Sequence, residues 1–254
     1  MRCPACNSEN AEKAVVCGTC GRALVLKHDF VGGLVGQRRA ATEEWQDHAQ
    51  IPGKMKLDYL HATTDPTQKR LEGLQGLLAH MRTPGTKLDD LLQEAAAFIS
   101  RQFGIDGVAI GLKDPKDGLY RYRAMAGFRE DAMESLKRIA YRKEQFYADS
   151  HFVGTDISKL SRIYLAEDNV LTNDEEKTFN RPGLLAMKRR TVTDSLEGDY
   201  IDTKILGHLD DLVGWIEISG TRTMKLPDAV TIRWVETVAS IIGTAIICQS
   251  VHER

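Results

Sequence analysis

With 254 residues, 42% of them hydrophobic and 28% charged, the chain carries enough apolar material for a full core plus an appendage. A net charge of −2 excludes a strongly basic nucleic-acid binder and leaves room only for a local basic patch. The N-terminus is polar and Cys-rich, with no apolar h-region, so no signal peptide is expected and the cytoplasm is the expected compartment.

The first 26 residues state their chemistry most plainly. Cys3, Cys6, Cys17 and Cys20 stand as two CxxC pairs ten residues apart. Two close thiolate pairs match tetrahedral zinc, and in a chain without a signal peptide this reading outweighs structural disulfides. A redox CxxC is the weaker alternative, because no βαβ context surrounds either pair. Val15, Val16, Leu24, Val25 and Leu26 are too few apolar residues to fold unaided, so Zn2+ binding would supply the folding free energy. The stretch resembles the small N-terminal zinc ribbon of many prokaryotic proteins, with pattern CPxCG, a short spacer, then CxxCG. Asn7 stands where that pattern has glycine, a mild departure because asparagine tolerates the left-handed region. Four protein ligands leave no open position for catalysis, so the zinc is expected to be structural.

Residues 27–66 read as a flexible linker. Glycines cluster at 32, 33 and 36 without the ending of a phosphate loop, and no apolar period persists; a short helix is possible around Ala40–Ala49. From Thr67 the pattern turns helical, with Leu71, Leu74, Leu78 and Met81 as an apolar stripe. Pro84-Gly85 interrupts it. A second helix is expected from Thr86 as N-cap to Gly104, burying Leu88, Leu91, Leu92, Ala95, Ile99 and Phe103.

Strands follow at Gly107–Lys113 and Leu119–Met125, joined by the turn Asp-Pro-Lys-Asp-Gly as a hairpin. A helix is expected over Glu130–Arg142 with Met133, Leu136 and Ala140 inward, then a strand near Lys159–Leu165. Thr172 and Glu175 form a capping box for a further helix, broken by Pro182-Gly183. Tyr200–Leu206 and Leu212–Ser219 alternate as a second hairpin. A closing helix spans about Asp228 to His252, with Val235, Val238, Ile242 and Ala245 in a wide apolar stripe. Its apolar run of twelve residues falls short of a membrane span, so it reads as a buried helix.

The fold class expected from this order is α+β, an antiparallel sheet flanked by helices. GVAIGLKD after a Leu-rich helix, the strand LVGWIEISG and the closing helix WVETVASIIGTAI together resemble a GAF domain, with a core over residues 86–250 inside a domain of 67–254. The resemblance implies a sheet whose one face carries pocket helices and loops. The other face would carry the first and last helices, which commonly pair in homodimers. The Asn-Lys…Phe-Asp-Glu pattern of cyclic-nucleotide-binding members has no match. Bilin-binding members need a pocket cysteine, and methionine-sulfoxide reductases of this fold need several. The fifth cysteine, Cys248, lies in the closing helix and reads as structural core.

No GxSxG, HExxH, GxxxxGK[ST] or GxGxxG occurs, and the seven histidines lack ligand spacing. Tyr120 and Tyr122 share one strand face, where they would either pack in the core or stack a planar ligand; Arg162 and Tyr164 complete the ligand-binding candidates. Two basic clusters, Lys137, Arg138, Arg142, Lys143 and Arg181, Lys188, Arg189, Arg190, read as solvated surface.

These readings converge on a cytoplasmic, non-enzymatic sensor or regulator for signal transduction. Its GAF-like domain would bind a small ligand of unknown identity or mediate homodimer formation through its first and last helices. The ribbon would engage a protein partner in trans, since no kinase, cyclase or helix-turn-helix pattern follows, and no membrane is expected. One alternative is a nucleic-acid- or transcription-associated regulator acting through the ribbon, supported only by Arg2, Lys13, Arg22 and Lys27. A second is an enzyme with an unrecognised pocket, which requires strongly perturbed titratable groups clustered in a cleft.

Overall fold

The computed structural model describes residues 2–3, 6–11, 14, 17–20, 50–62, 65–146, 152–169 and 173–252. The chain divides into two compact units, Met1–Leu60 and His61–Arg254.

In the first unit, the four cysteine sulfurs gather around one point. The amide of Cys3 donates to the carbonyl of Ser8 (3.0 Å) and that of Asn7 to the carbonyl of Cys3 (2.9 Å), closing the first CxxC turn. Asn7 takes the left-handed conformation at φ 61°, where an asparagine replaces the expected glycine at little cost. Helix α1 runs from Gln50 to Ala62 within the stretch read as linker; the helix expected near Ala40–Ala49 lies outside the described residues, as do Val15, Val16, Gly21, Leu24, Val25 and Leu26.

The second unit is built on a seven-stranded antiparallel sheet in the order β3-β2-β1-β7-β6-β5-β4. The strands are β1 (Ile105–Lys113), β2 (Tyr120–Ala126), β3 (Ala140–Tyr141), β4 (Gly154–Asp156), β5 (Ser161–Tyr164), β6 (Tyr200–Leu206) and β7 (Leu212–Thr221). Both expected hairpins form, β1–β2 and β6–β7, and β1 pairs with β7 so that residues more than 100 apart in sequence lie side by side at the sheet centre.

One face is covered by α2 (Pro66–Arg82), α3 (Leu88–Phe103) and α6 (Ala229–His252). Leu92, Ala95 and Ile99 of α3 are fully buried against Val108 and Ile110 of β1, with Ile216 of β7, Ile205 of β6 and Val235, Val238 and Ile242 of α6. Each such Leu or Ile contributes about 1.5–3 kcal/mol by leaving water. This is the layering implied by the GAF resemblance: mixed helix and antiparallel sheet, with the first and last helices sharing one face.

Several boundaries differ from expectation for local reasons. Asp65 caps α2 by accepting from the Thr67 amide at 2.7 Å. Thr86 does not cap α3; its hydroxyl turns back to the carbonyl of His80 at 3.1 Å, and Lys87 holds the cap position without a side-chain bond. Gly104 ends α3 at φ 62°, a conformation that disfavours side chains. On α2 the buried residue is Leu77, whereas Leu71 and Leu78 are 42% and 43% exposed, so the inward stripe is Leu74, Leu77 and Met81.

Helix α4 (Glu130–Arg138) stops four residues early because Ala140 joins edge strand β3; Ala132 is buried in its place and Ala140 is exposed. Helix α5 (Asn173–Glu176) is one turn, and Thr172 lies outside the described residues. On α6, Asp228 accepts from the Thr231 amide at 2.7 Å. Ala229–Ser250 of α6 is long and apolar enough to cross a membrane by length and composition, a test that the core helix of a soluble protein also passes, and it buries Val235, Val238, Ile242 and Ala245 in the core. Cys248 is exposed and so is not core: it lies near the end of α6, one turn beyond Ala245, the last buried residue described on that helix.

Candidate functional site

The four N-terminal thiols form the first site. Cys3 Sγ lies 3.6 Å from Cys20 Sγ and Cys6 Sγ 3.6 Å from Cys17 Sγ, and all four sulfurs fall within 4.8 Å of one another. Zinc–sulfur bonds of about 2.3 Å in a tetrahedron separate sulfurs by about 3.8 Å, so the residues fit that ion. Ser8 stands between two of these thiols, its hydroxyl 3.0 Å from Cys6 Sγ and 3.2 Å from Cys17 Sγ. That contact leads the lowering of both thiols, Cys17 to about 5, which favours the thiolate a metal requires. Asn10 braces the second pair, accepting from the Gly18 amide at 2.9 Å and reaching Cys17 Sγ at 3.5 Å. Arg2, offered as a nucleic-acid contact, pairs with Glu9 at 3.5 Å; Lys13, Arg22 and Lys27 lie outside the described residues.

The second site is on the sheet face away from α2, α3 and α6. Strand alternation sends Ile201 and Ile205 of β6 and Ile216 and Ile218 of β7 to the helix face, and Tyr200, Asp202, Trp215, Glu217 and Ser219 to the other. On β2 a bulge intervenes. Ile110 pairs with Ala124 but Gly111 pairs with Tyr122, so Arg123 is the extra residue. Ala124 therefore joins the helix-face core, while Tyr120 and Tyr122 face the same way as Trp215.

There the side chains enclose a chamber of about 60 Å³. Its floor is Tyr122, Trp215, Glu217, Ser219, Tyr200 and Asp202; Tyr164, Leu136, Ile139, Tyr141, Gln145, Phe146, Phe152 and Phe179 wall it. Trp215 is the hub, with ring centroids 4.9 Å from Tyr122, 5.0 Å from Phe146 and 5.6 Å from Tyr141. Tyr164 and Tyr200 stack at 4.5 Å and 12°. Gly111 makes room for the hub: a Cβ there would lie 2.0 Å from the Trp215 ring. An outer recess of about 440 Å³ shares Ile139, Tyr141, Gln145 and Glu175 with the chamber and adds Ser135, Arg138 and Lys177.

Two carboxyl groups meet on this floor. Asp202 and Glu217 are register partners across β6 and β7. Glu217 accepts from the Tyr122 hydroxyl at 2.6 Å and from the Trp215 side chain. Asp202 Oδ1 is out of reach of solvent and accepts no hydrogen bond. Burial pushes both carboxyls above the usual carboxylate range, and the like charge of Glu217 adds to the rise at Asp202. Burial, reinforced by these acids, also raises the hydroxyls of Tyr122, Tyr141 and Tyr200.

Of the four sequence candidates, Tyr122 and Tyr164 line the chamber. Tyr120 is fully buried beneath it and donates to the carbonyl of Leu212 at 2.7 Å. Arg162 turns to edge strand β4, donating to the carbonyl of Gly154 at 2.8 Å. Sequence reading missed Asp202, Glu217, Trp215, Tyr141 and Tyr200. The available signal was an acid two residues after an aromatic one in both strands of a hairpin, Tyr200-Ile-Asp202 and Trp215-Ile-Glu217.

The segment beside the chamber is held by ion pairs where a solvated surface was expected. Arg189 donates to Asp199 at 2.9 and 3.0 Å, to Glu167 at 2.8 Å, and to the carbonyl of Asp194. Arg181 bridges Glu197 at 2.9 Å and Asp106 at 3.3 Å, tying the segment to β1.

No family model matches the sequence, and no curated protein matches it. Among solved structures, part of the chain superposes on the GAF domain of an Acinetobacter phosphoenolpyruvate-protein phosphotransferase, with 10% identity, 72% of this chain, 95% of that one and a TM-score of 0.46. It also superposes on the GAF domain of the corresponding Coxiella burnetii protein, with 10% identity, 72% and 96% coverage and 0.47. The phycoerythrobilin-bound GAF domain of a cyanobacterial phytochrome gives 15% identity, 73% and 98% coverage and 0.49. The fold class itself follows from the strand order and the placement of the helices.

Proposed function

We propose that residues 67–254 form a GAF-like sensory domain that takes up a small molecule in the chamber. The N-terminal module would be a zinc ribbon in which Cys3, Cys6, Cys17 and Cys20 hold a structural ion and which engages a partner in trans, in a cytoplasmic regulator. The observation that carries the sensory reading is the chamber: a concave aromatic enclosure with a few convergent polar groups, the composition of a small-molecule site. Native mass spectrometry of full-length protein from its own source tests both parts. One zinc per chain and a further small-molecule mass are expected; protein carrying neither, unresponsive in thermal denaturation to a metabolite library, would refute the reading.

A second reading is catalysis. An enzyme requires perturbed titratable groups in a cleft, and Asp202 and Glu217 are such groups. Binding is favoured because no cysteine, histidine or lysine converges on the pair among the described lining residues. The hydroxyl of Thr178 is engaged with the carbonyl of Glu175 at 2.6 Å. Homodimer formation through α2 and α6 is part of the proposal, supported by the exposure of Leu71 and Leu78 on α2.

A further inference from the structure

The chamber floor poses a charge problem that the rest of the fold leaves unsolved. Two carboxyl groups face each other across one strand pair, and three acids in all, Glu175, Asp202 and Glu217, line the chamber. No lysine, arginine or histidine is among its described lining residues. Elsewhere in the second unit buried acids have cationic partners: Asp199 has Arg189 and Glu197 has Arg181. Asp202 Oδ1, by contrast, accepts nothing. A carboxyl oxygen shut off from solvent without a partner is costly unless the group stays protonated or a counter-ion arrives.

We propose that the chamber receives the cationic head of a small organic molecule, an ammonium or guanidinium group seated between Asp202 and Glu217 and walled by the rings of Trp215, Tyr122 and Tyr164. This rests on the ligand-binding reading above and names the chemical class of the ligand. The aromatic faces favour a cation through their quadrupoles, more so when desolvated. Size is consistent: about 60 Å³ holds roughly four water-sized groups, enough for a head group and its first carbons. The body of the molecule then lies in the 440 Å³ recess, lined by Ser135, Arg138, Gln145, Glu175 and Lys177. That mixed polar lining suits an uncharged or polar tail. A divalent metal is disfavoured by the same walls, since rings occupy directions where a hard cation requires oxygen ligands.

The test is isothermal titration of the full-length chain, loaded with zinc, with three probes of one shape: benzylamine as its ammonium ion at neutral pH, benzyl alcohol, and benzoate. Benzylamine is expected to bind on the order of tenfold or more tighter than benzyl alcohol, with benzoate weakest. In Asp202→Asn, with near-UV circular dichroism unchanged, that preference is expected to vanish while benzyl alcohol binding persists. The wild-type comparison stands by itself should the variant fold poorly. Equal binding of amine and alcohol, or tighter binding of benzoate, would overturn the cation inference and leave the ligand-binding reading intact. Stronger stabilisation by calcium or magnesium chloride than by benzylamine would overturn it in favour of a metal. Failure of all three probes to bind would overturn the cation inference and leave the ligand-binding reading to the native mass spectrometry above.

Discussion

Asp202 of β6 and Glu217 of β7 stand directly opposite one another on the chamber face, and Glu217 receives hydrogen bonds from Tyr122 and Trp215 whereas Asp202 Oδ1 receives none. This inequality makes the pair a source of pH-dependent stability. Both folded-state values lie above the ordinary 3.8 and 4.5, so the folded protein binds more protons than the unfolded chain above that range. Stability is therefore expected to fall as pH rises above the ordinary carboxylate range, the pair becoming an increasing burden. Asp117 and Asp194, held low by Arg121 and by Lys225, act in the opposite sense, and their contribution is lost as pH falls below 3.8. Urea denaturation across pH should show the decline in wild type and a flatter profile in Asp202→Asn. An identical slope in both proteins would refute this account.

Gly111→Ala is expected to destabilise the domain by about 1–3 kcal/mol, because the added methyl meets the Trp215 ring, which is locked against Tyr122, Tyr141 and Phe146. Tryptophan emission should shift as the ring is displaced. Equilibrium denaturation with an unchanged midpoint would show that the hub moves freely.

Arg189→Ala leaves Asp199, which is 3% exposed, as a buried carboxylate without its guanidinium. Breaking such a pair costs about 3–5 kcal/mol. The loss should exceed that of Arg123→Ala, whose partner Asp89 is largely exposed. Denaturant midpoints of the two variants decide the matter, and equal losses would contradict the burial argument.

For the N-terminal thiols, Cys17→Ser is expected to abolish stoichiometric zinc, measured by metal analysis after dialysis. Ser8→Ala should retain the metal but release it faster to a chelator, since its hydroxyl contacts both Cys6 and Cys17. Full retention of zinc by Cys17→Ser would argue against a four-thiolate site.

Sedimentation at micromolar concentration is expected to show a dimer that Leu78→Glu converts to monomer, given the exposure of Leu71 and Leu78. A monomeric wild type would remove the dimer from the proposal.

What the sequence determined by itself was whatever is written in local spacing. Two CxxC pairs bring four thiols to one point because the chemistry and the turn lie within a few residues. Alternation in YIDTKIL and LVGWIEIS fixes two strands, and Gly104 ends α3, because each needs only its neighbours. Tertiary structure decided what depends on register. That Tyr120 and Tyr122 face the side of Trp215 while Ala124 joins the helix-face core turns on one extra residue at Arg123, and Cys248 is exposed because it lies beyond Ala245, the last buried residue described on α6. Arg189 became an internal clamp only once Asp199 was brought beneath it. Asp202 and Glu217, fifteen positions apart, acquired their shared chemistry when β6 and β7 aligned them beside the aromatic side chains of the chamber. Burial and like charge exist only there, because both arise from distances that strand pairing sets and composition does not.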